Sequence, residues 1–263
     1  MARERSADDD DARRGTPTER HAAPAYGGAV TSTLEPVRTA LRGLAHRAAL
    51  GQLPPVATIH RLDPTTVAGY RSAAVLLLFT PSTVPGDPGV DLFLVQRSPL
   101  LRHHPGQIAL PGGRVDPTDA GIEAAALRET HEEIGLPPER VEVLGRLPEM
   151  AVPVSSFVVT PVLGWAWDAA GLEDVDAGEV LHTLRLPVSS LLDPASRATV
   201  TIHDHGSAGF AAQGGWVWGF TGNLLDHTFD LLGWTLPWDR ERTYEMSMAE
   251  AVGATLPPAT AEG

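Results

Sequence analysis

The sequence predicts an α/β fold in which helices cover both faces of a mixed central sheet. Strand-like apolar runs and helix-like apolar spacing both occur along the 263 residues, without the regular alternation typical of a wholly parallel sheet. The run AAVLLLF at 73–79 is continuously apolar, as expected for a strand buried on both faces. The hydrophobic fraction of 43% is ordinary for a folded domain with a core of its own.

One domain, residues 31–245, is predicted between two tails. Residues 1–30 are polar and charged with almost no large apolar side chain, so we expect a disordered N-terminal tail. Residues 246–263 are predicted to form a flexible C-terminal tail, because Ala, Pro and Thr dominate its last dozen positions. The domain opens with a helix at 33–50, whose apolar residues recur at helical spacing: Leu34, Val37, Leu41, Leu44 and Ala48.

The other elements are delimited by glycine and proline. The loop TPSTVPGDPGVD joins the first strand to a second at 91–96, and these two strands are expected to pair as a hairpin. Helices are predicted at 119–134 and 221–232. Further strands are predicted at 141–147, 157–167, 180–186, 198–203 and 216–218.

The composition excludes several classes of function. The absence of cysteine excludes disulfides, thiolate metal sites and a cysteine nucleophile. The net charge of −13 argues against a nucleic-acid partner, since phosphate binding needs lysine and arginine. No run approaches the ~20 apolar residues of a membrane span, and the first residues lack the apolar stretch of a signal peptide. We therefore expect no membrane contact and a cytoplasmic location.

Glutamates are concentrated in the sequence RETHEEIG of the predicted helix 119–134. Glu132 and Glu133 follow Glu129 by three and four residues, so all three are expected on one face of the helix. Arg128 is placed to hold one of these carboxylates. Hard divalent cations such as Mg²⁺ and Mn²⁺ would offset the repulsion within the cluster, because they prefer oxygen ligands.

A charged face of this kind is also common on ordinary solvated helices, and its surroundings favour a functional interpretation. Gly112 and Gly113 precede the helix and would let the backbone approach a metal or a phosphate closely. Ala125 and Ala126 are expected on the glutamate side, where they would leave room for a ligand. Gly135 is expected to end the helix.

This segment resembles the Nudix box of the Nudix hydrolases, where R-E-U-x-E-E-x-G-U, with U apolar, follows a glycine and a glutamate at fixed distances. The right half matches from Arg128 to Leu136, with Thr130 in the first apolar position. The left half departs, since Ala120 and Arg114 stand where the pattern has glutamate and glycine. The resemblance implies a Nudix-like α/β/α sandwich with a mixed central sheet.

The departing half is similar to the Nudix subgroup that hydrolyses coenzyme A, whose loop reads P-G-G-x-x-D-x-x-D, with Asp116 and Asp119 here. Segments at 153–164 and 216–225 also look like later parts of these enzymes, so the resemblance covers 70–232. The upstream signature of the subgroup resembles LFLVQRSPLLRHHPGQIALPGG at Arg97, Ser98, Leu101, Arg102, His104, Gly106, Pro111, Gly112 and Gly113.

The resemblance implies hydrolysis of a pyrophosphate with Mg²⁺ or Mn²⁺ as cofactor. Glu129 and Glu133 would bind the metal, and Glu132 would be a further ligand or the general base. A carboxylate from outside the helix usually joins them, and Glu179 is our candidate. Its alternatives are an ordinary loop acid, or a ligand role taken instead by the neighbouring acids Glu173, Asp174 and Asp176.

The basic residues Arg97, Arg102 and His104 precede the glycine pair and are expected to hold the phosphates of a nucleotide-like small molecule. A solvated turn is the alternative for these residues. With coenzyme A as substrate, the implied products are 4′-phosphopantetheine and adenosine 3′,5′-bisphosphate.

Other functions stay open. The substrate could be a different nucleoside diphosphate derivative, such as ADP-ribose or an oxidised nucleotide, although the segment RSPLLRHHPG argues against this. A non-catalytic Nudix-fold binding module would be expected to lose its carboxylates. The sequence also leaves a homodimer open. HDHG at 203–206 is predicted to be a hairpin turn rather than a second metal site, and Trp216 and Trp218 are expected in the core, in a pocket wall or stacked on a base.

Overall fold

The computed structural model describes the chain from residue 28 to residue 254 with short gaps. The described residues are 28–56, 62–63, 65–84, 89–101, 103–169, 172 and 178–254, and for 28–33 only the backbone is described. They form five α-helices, α1 (Gly28–Ala49), α2 (Ile122–Ile134), α3 (Val188–Leu192), α4 (Gly219–Leu232) and α5 (Met248–Ala251). They also form twelve strands: β1 (Arg71–Pro81), β2 (Val90–Arg97), β3 (Ile108–Ala109), β4 (Gly112–Arg114), β5 (Glu142–Arg146), β6 (Met150–Val152), β7 (Phe157–Trp165), β8 (Val180–Pro187), β9 (Arg197–Ile202), β10 (His205–Ala212), β11 (Gly215–Val217) and β12 (Thr243–Glu245).

Strands β1 to β8 form a mixed eight-stranded sheet. β1 pairs in parallel with β7 and antiparallel with both β2 and β4. β2 in turn pairs antiparallel with β8 along most of its length. The predicted hairpin of the first two strands and the mixed character of the sheet are both confirmed.

Helices cover both faces of this sheet, as predicted. Side chains of a strand alternate between faces, and β1 is apolar on both. Leu77 and Phe79 belong to the core cluster that contains Leu41 and Leu44 of α1 and residues of α4. The side chains that alternate with them along the strand, such as Leu76 and Leu78, belong to the core cluster that contains buried residues of α2. The α/β architecture inferred from the continuous apolar run is therefore confirmed.

Strands β9 to β12 form a separate four-stranded sheet in the order β11-β10-β9-β12, which the sequence analysis did not predict. β10 has the sequence HGSAGFAA, whose small residues carry little strand signal, and β12 is only three residues long. Of the sequence HDHG, His203 and Asp204 form the turn between β9 and β10, and His205 and Gly206 begin β10. His203 has a φ of 49°. The prediction of a hairpin turn there is confirmed.

Both predicted chain ends need correction. α1 begins at Gly28, so residues 28–30 of the predicted tail are helical, while residues 1–27 lie outside the described part. The predicted flexible tail from 246 onwards is wrong as far as residue 254, because Met246 and Ala251 are buried and α5 forms. Ser247 and Glu250 build a capping box at the start of α5. Residues 255–263 lie outside the described part.

The helix that carries the glutamates starts later than predicted. Asp119 lies in a turn before α2, because its carboxylate accepts a hydrogen bond from the Asp116 N–H (2.8 Å) rather than capping the helix. α2 therefore begins at Ile122. Across the described residues, no helix is long and apolar enough to cross a membrane.

Candidate active site

Helix α2 carries the glutamates, and its small residues set its distance from the sheet. Ala125 and Ala126 are fully buried in the core beneath the helix, so the prediction that they leave room for a ligand is wrong. Their small side chains allow α2 to pack closely on β1 and β4. The helix ends at Gly135, whose left-handed φ of 71° and N–H bond to the His131 carbonyl confirm the predicted cap.

The three glutamates occupy different environments. The Glu133 side chain is 5% exposed and that of Glu129 is 18% exposed, whereas the Glu132 side chain is 53% exposed. The sequence predicted that the three share one face of the helix but not that their exposure differs. Two carboxylates point toward the glycine strand, and the third lies at the surface beside them.

Glu133 is the most enclosed acid of the site. Its Oε2 atom accepts a hydrogen bond from the Gly112 N–H (2.9 Å), and its Oε1 atom lies 3.7 Å from Nη1 of Arg97. Burial, and to a smaller extent the negative charges of Glu129 and Glu179, raise the pKa of Glu133 to about 8 against the opposing effects of the Gly112 N–H and Arg97. The site therefore holds more negative charge than its own residues neutralise.

The glycine pair of β4 is required by two close approaches. At Gly112, where φ is 148°, an added Cβ atom would lie 2.3 Å from the carbonyl oxygen of Ala74 on β1. At Gly113 an added Cβ atom would lie 2.4 Å from Oε2 of Glu129. The backbone of β4 thus lies directly against the Glu129 carboxylate, and the predicted close approach to a metal or a phosphate stays a prediction.

Arg128 holds the cluster together and contacts more groups than the single carboxylate predicted for it. It forms a bidentate pair with Asp119 through Nε (2.8 Å) and Nη2 (3.0 Å). Its Nη1 atom donates to Glu129 and to Glu132, at 3.0 Å each. The Arg128 hydrogen bonds lower the pKa of Asp119, while burial raises the pKa of Glu129. Asp119 therefore supplies the carboxylate partner of this arginine.

Glu179 lies close enough to the helix glutamates for its charge to raise the pKa values of both Glu129 and Glu133. Its backbone carbonyl accepts a hydrogen bond from the Ser98 N–H (2.8 Å), which ties its loop to the start of the basic segment. The competing acids Glu173, Asp174 and Asp176 lie outside the described residues.

The predicted basic residues are only partly assembled at the site. Arg97 is beside Glu133, whereas Arg102 lies outside the described residues. His104 is half-buried, and its Nδ1 atom lies 3.1 Å from Oε1 of Gln107. Burial lowers the pKa of His104. Its observed contact is therefore within its own loop, which has a left-handed φ of 53° at this residue.

The donor set fits a hard divalent cation. Within the described ranges no three acidic or histidine side chains surround a common point. Arg128 contacts the Glu129 carboxylate, and Arg97 and the Gly112 N–H contact that of Glu133. All the candidate ligands are nevertheless carboxylate oxygens, and the buried ones have raised pKa values, which a bound cation would reverse. Glu129, Glu133 and Glu179 would hold the ion, with Glu132 adjacent.

The sequence analysis did not predict that the C-terminal segment packs on the loop that contains Gly106 and Gln107. Nε2 of Gln107 donates to the carbonyl of Ala251 in α5 (3.3 Å), and Gly253 packs directly on Gly106. The signal available in the sequence was the pair Ser247 and Glu250, which has the spacing of a capping box.

Residues 69–163 match the family model described as the NUDIX domain. The chain is 39% identical over 163 residues to an uncharacterized Nudix hydrolase NudL of Enterobacter sp. (strain 638), a match that covers 60% of this chain and 81% of that protein. A shorter match to the NudL protein of Klebsiella pneumoniae (strain 342) has 55% identity over 94 residues and covers 36% of this chain. That match spans about half of the relative's length, 46%.

Among solved structures, the Nudix hydrolase RenU of M. Smegmatis is 28% identical, with a TM-score of 0.39. The alignment covers 47% of this chain and 74% of that one. The 39% identity to the Enterobacter protein extends over most of that protein's length. The chain therefore belongs to the Nudix hydrolase family.

Proposed function

We propose that this protein is a divalent-metal-dependent pyrophosphohydrolase. The observation that carries the proposal is the placement of the Glu129 and Glu133 carboxylates against the backbone of Gly112 and Gly113. The carboxylates of the cluster outnumber the positive charges around them. Glu129 and Glu133 bind Mg²⁺ or Mn²⁺ in this proposal, and Glu179 is the ligand from outside the helix. When bound, the ion lowers the pKa of water and offsets the charge of the diphosphate.

The protein's own groups have separate roles in this reaction. Glu132 is the most exposed of the helix glutamates, so it can serve as a further ligand or accept a proton from the attacking water. Arg128 positions Glu129 and Glu132 through its Nη1 atom, and Asp119 holds the guanidinium in place. Gly112 orients Glu133 through its N–H group.

We further propose that the substrate is coenzyme A or a derivative of it, which would be cleaved to adenosine 3′,5′-bisphosphate and 4′-phosphopantetheine. The support is the basic segment before the glycine pair. Arg97 brings a guanidinium to 3.7 Å from Glu133, and its buried Nε atom has no hydrogen-bond partner among the described residues. A substrate phosphate beside the metal would supply that partner. Arg102 and His104 are proposed to contact other phosphates of the same substrate.

Product analysis tests both levels of the proposal. The full chain is incubated with coenzyme A and, separately, with ADP-ribose in Mg²⁺ or Mn²⁺, beside Glu133→Gln and the exposed-surface control Glu139→Gln. Release of adenosine 3′,5′-bisphosphate by the parent and the control, but not by Glu133→Gln, is the expected result.

Cleavage of ADP-ribose without cleavage of coenzyme A would keep the metal-dependent chemistry and contradict the substrate. Cleavage of neither substrate would contradict both and favour a binding module.

A further inference from the structure

A cavity of about 300 Å³ lies between the central sheet and the second sheet, apart from the glutamate cluster. The segment from Gly106 to Ile108 forms one side of it, and β11, β12 and α5 form the others. Its volume is at the lower end of the range typical of small-molecule sites, enough for one ring system rather than a whole dinucleotide. The side chains that characterise it are Gln107, Ile108, Trp216, Trp218, Tyr244 and Glu250.

Aromatic rings make up much of the cavity wall. The ring centroids of Trp216 and Tyr244 are 4.8 Å apart with an angle of 34° between their planes, so the two rings form a continuous aromatic surface. Trp218 lies two residues further along the chain and also lines the cavity. All three rings are partly exposed, and their inner sides pack on a core cluster that contains Val200, Met246 and Ala251. Such a surface favours a flat ligand that can stack on it.

One charged side chain, the carboxylate of Glu250, lines the cavity among the described residues. Tyr244 donates its hydroxyl to Oε1, and the Ser247 N–H (2.9 Å) and hydroxyl (2.7 Å) donate to Oε2. These bonds fix the carboxylate in place at the cavity wall. A fixed negative charge repels a phosphate group and attracts a hydrogen-bond donor.

We propose that this cavity binds a purine base that carries an exocyclic amino group, as adenine does. The base would stack on the surface formed by Trp216 and Tyr244, and its amino group would donate to the Glu250 carboxylate. The phosphates of the same nucleotide would lie outside the cavity, away from Glu250. A flexible amide chain such as pantetheine gains much less from a stacking surface.

The cavity is connected to the proposed catalytic residues through the backbone. The carbonyl of Gln107 accepts a hydrogen bond from the Arg97 N–H (2.9 Å), and the Arg97 side chain lies beside Glu133. On the other side, Nε2 of Gln96 donates to the carbonyl of Gly214 in the cavity wall (3.1 Å). The base could therefore belong either to the nucleotide being hydrolysed or to a second, separately bound nucleotide.

Binding of adenosine to the metal-free full chain tests the cavity without any need for turnover. Calorimetric titrations compare adenosine, inosine and pantetheine. We expect adenosine to bind, Trp216→Leu to weaken its binding by roughly tenfold or more, and Trp216→Phe to restore most of the loss, because phenylalanine still stacks. Glu250→Gln keeps the capping-box geometry, so we expect it to remove the preference for adenosine over inosine while the fold is retained.

The proposal is overturned if adenosine does not bind, if pantetheine binds in its place, or if Trp216→Leu leaves the affinity for adenosine unchanged while thermal unfolding shows an intact fold. A second measurement identifies the source of the base and rests on the proposed function. With coenzyme A as substrate, a raised KM and a retained kcat in Trp216→Leu would assign the cavity to the substrate's own adenine. An unchanged KM together with weaker adenosine binding would assign it to a separate nucleotide.

Discussion

Two arginines, Arg128 in the glutamate site and Arg197 in the second sheet, each organise a cluster of charged side chains, and the two clusters differ in net charge. Arg128 is 28% exposed and is shared among Asp119, Glu129 and Glu132, so carboxylates outnumber it. Arg197 is fully buried, and its guanidinium carbon lies 4.0 Å from the ring centroid of Phe210 and 4.4 Å from that of Trp238.

The second cluster is close to neutral and enclosed by aromatic rings. Arg197 pairs with Asp226, which also contacts Arg240, and burial lowers the pKa of Arg197. Its Nη1 atom has no partner within the described part of the chain. The pair joins β9 to α4 and has a structural role. The comparison indicates that an excess of negative charge at an accessible place, rather than the presence of an ion pair, distinguishes the proposed catalytic cluster.

The largest effect is expected for Glu133→Gln. Loss of this proposed metal ligand should lower kcat for pyrophosphate hydrolysis by about 10³-fold. The amide oxygen of the glutamine can still accept the hydrogen bond from the Gly112 N–H. Steady-state kinetics at saturating Mg²⁺ measure this loss, with Glu139→Gln as the matched control. A kcat within a few-fold of the parent would remove Glu133 from the catalytic residues.

Arg197→Met should produce a loss of stability instead of a specific loss of catalysis. Removing one partner of a buried pair leaves Asp226 without its main counter-charge, at a cost of about 3 kcal/mol in the free energy of unfolding. Urea denaturation measures this change, and kcat per folded molecule should stay near that of the parent. The double variant Arg197→Met with Asp226→Leu should recover much of the stability. A normal stability with a strongly reduced kcat would reverse the assignment of the two clusters.

The metal-free protein should lose stability as the pH rises from below 4.5 toward 8. Burial raises the pKa of Glu133 to about 8 from its ordinary 4.5, so the folded state keeps a proton that the unfolded chain releases. This contribution is complete below the ordinary pKa and is lost as the pH approaches the raised one. Urea denaturation at a series of pH values should show this decline in the free energy of unfolding, and Glu133→Gln or added Mg²⁺ should flatten it. An equally steep dependence in Glu133→Gln would assign it to other groups.

Asp119→Asn should have the smallest effect, because the residue acts through Arg128. Weaker hydrogen bonding between residue 119 and the Arg128 guanidinium should lower kcat about tenfold, as is typical when a group that orients the ligands is changed. The change should leave KM nearly constant. Asp116→Asn, which leaves the Asp119 carboxylate in place, is the matched control. If both variants behave alike, the bidentate pair is not the positioning contact.

The strength of the sequence signal differed between parts of the fold. The central strand was predictable because AAVLLLF is apolar on both faces. Helix α2 was predictable because its glutamates and its buried apolar residues both follow helical spacing and a glycine follows its last turn. The second sheet was missed because β10 consists largely of small residues. The C-terminal boundary was misplaced because α5 is one turn long and is stabilised by its cap and by Gln107, not by an apolar run.

The grouping of the α2 glutamates could be predicted from the sequence, because helical spacing fixes which residues of one helix are neighbours, and the glycine pair lies nearby along the chain. The sequence could not give the unequal burial of Glu132 and Glu133, since that depends on how closely α2 packs against β4. Only the tertiary structure brought the 106–108 segment together with β11, β12 and α5. Those segments are distant in sequence, and local periodicity carries no information about which of them share a cavity.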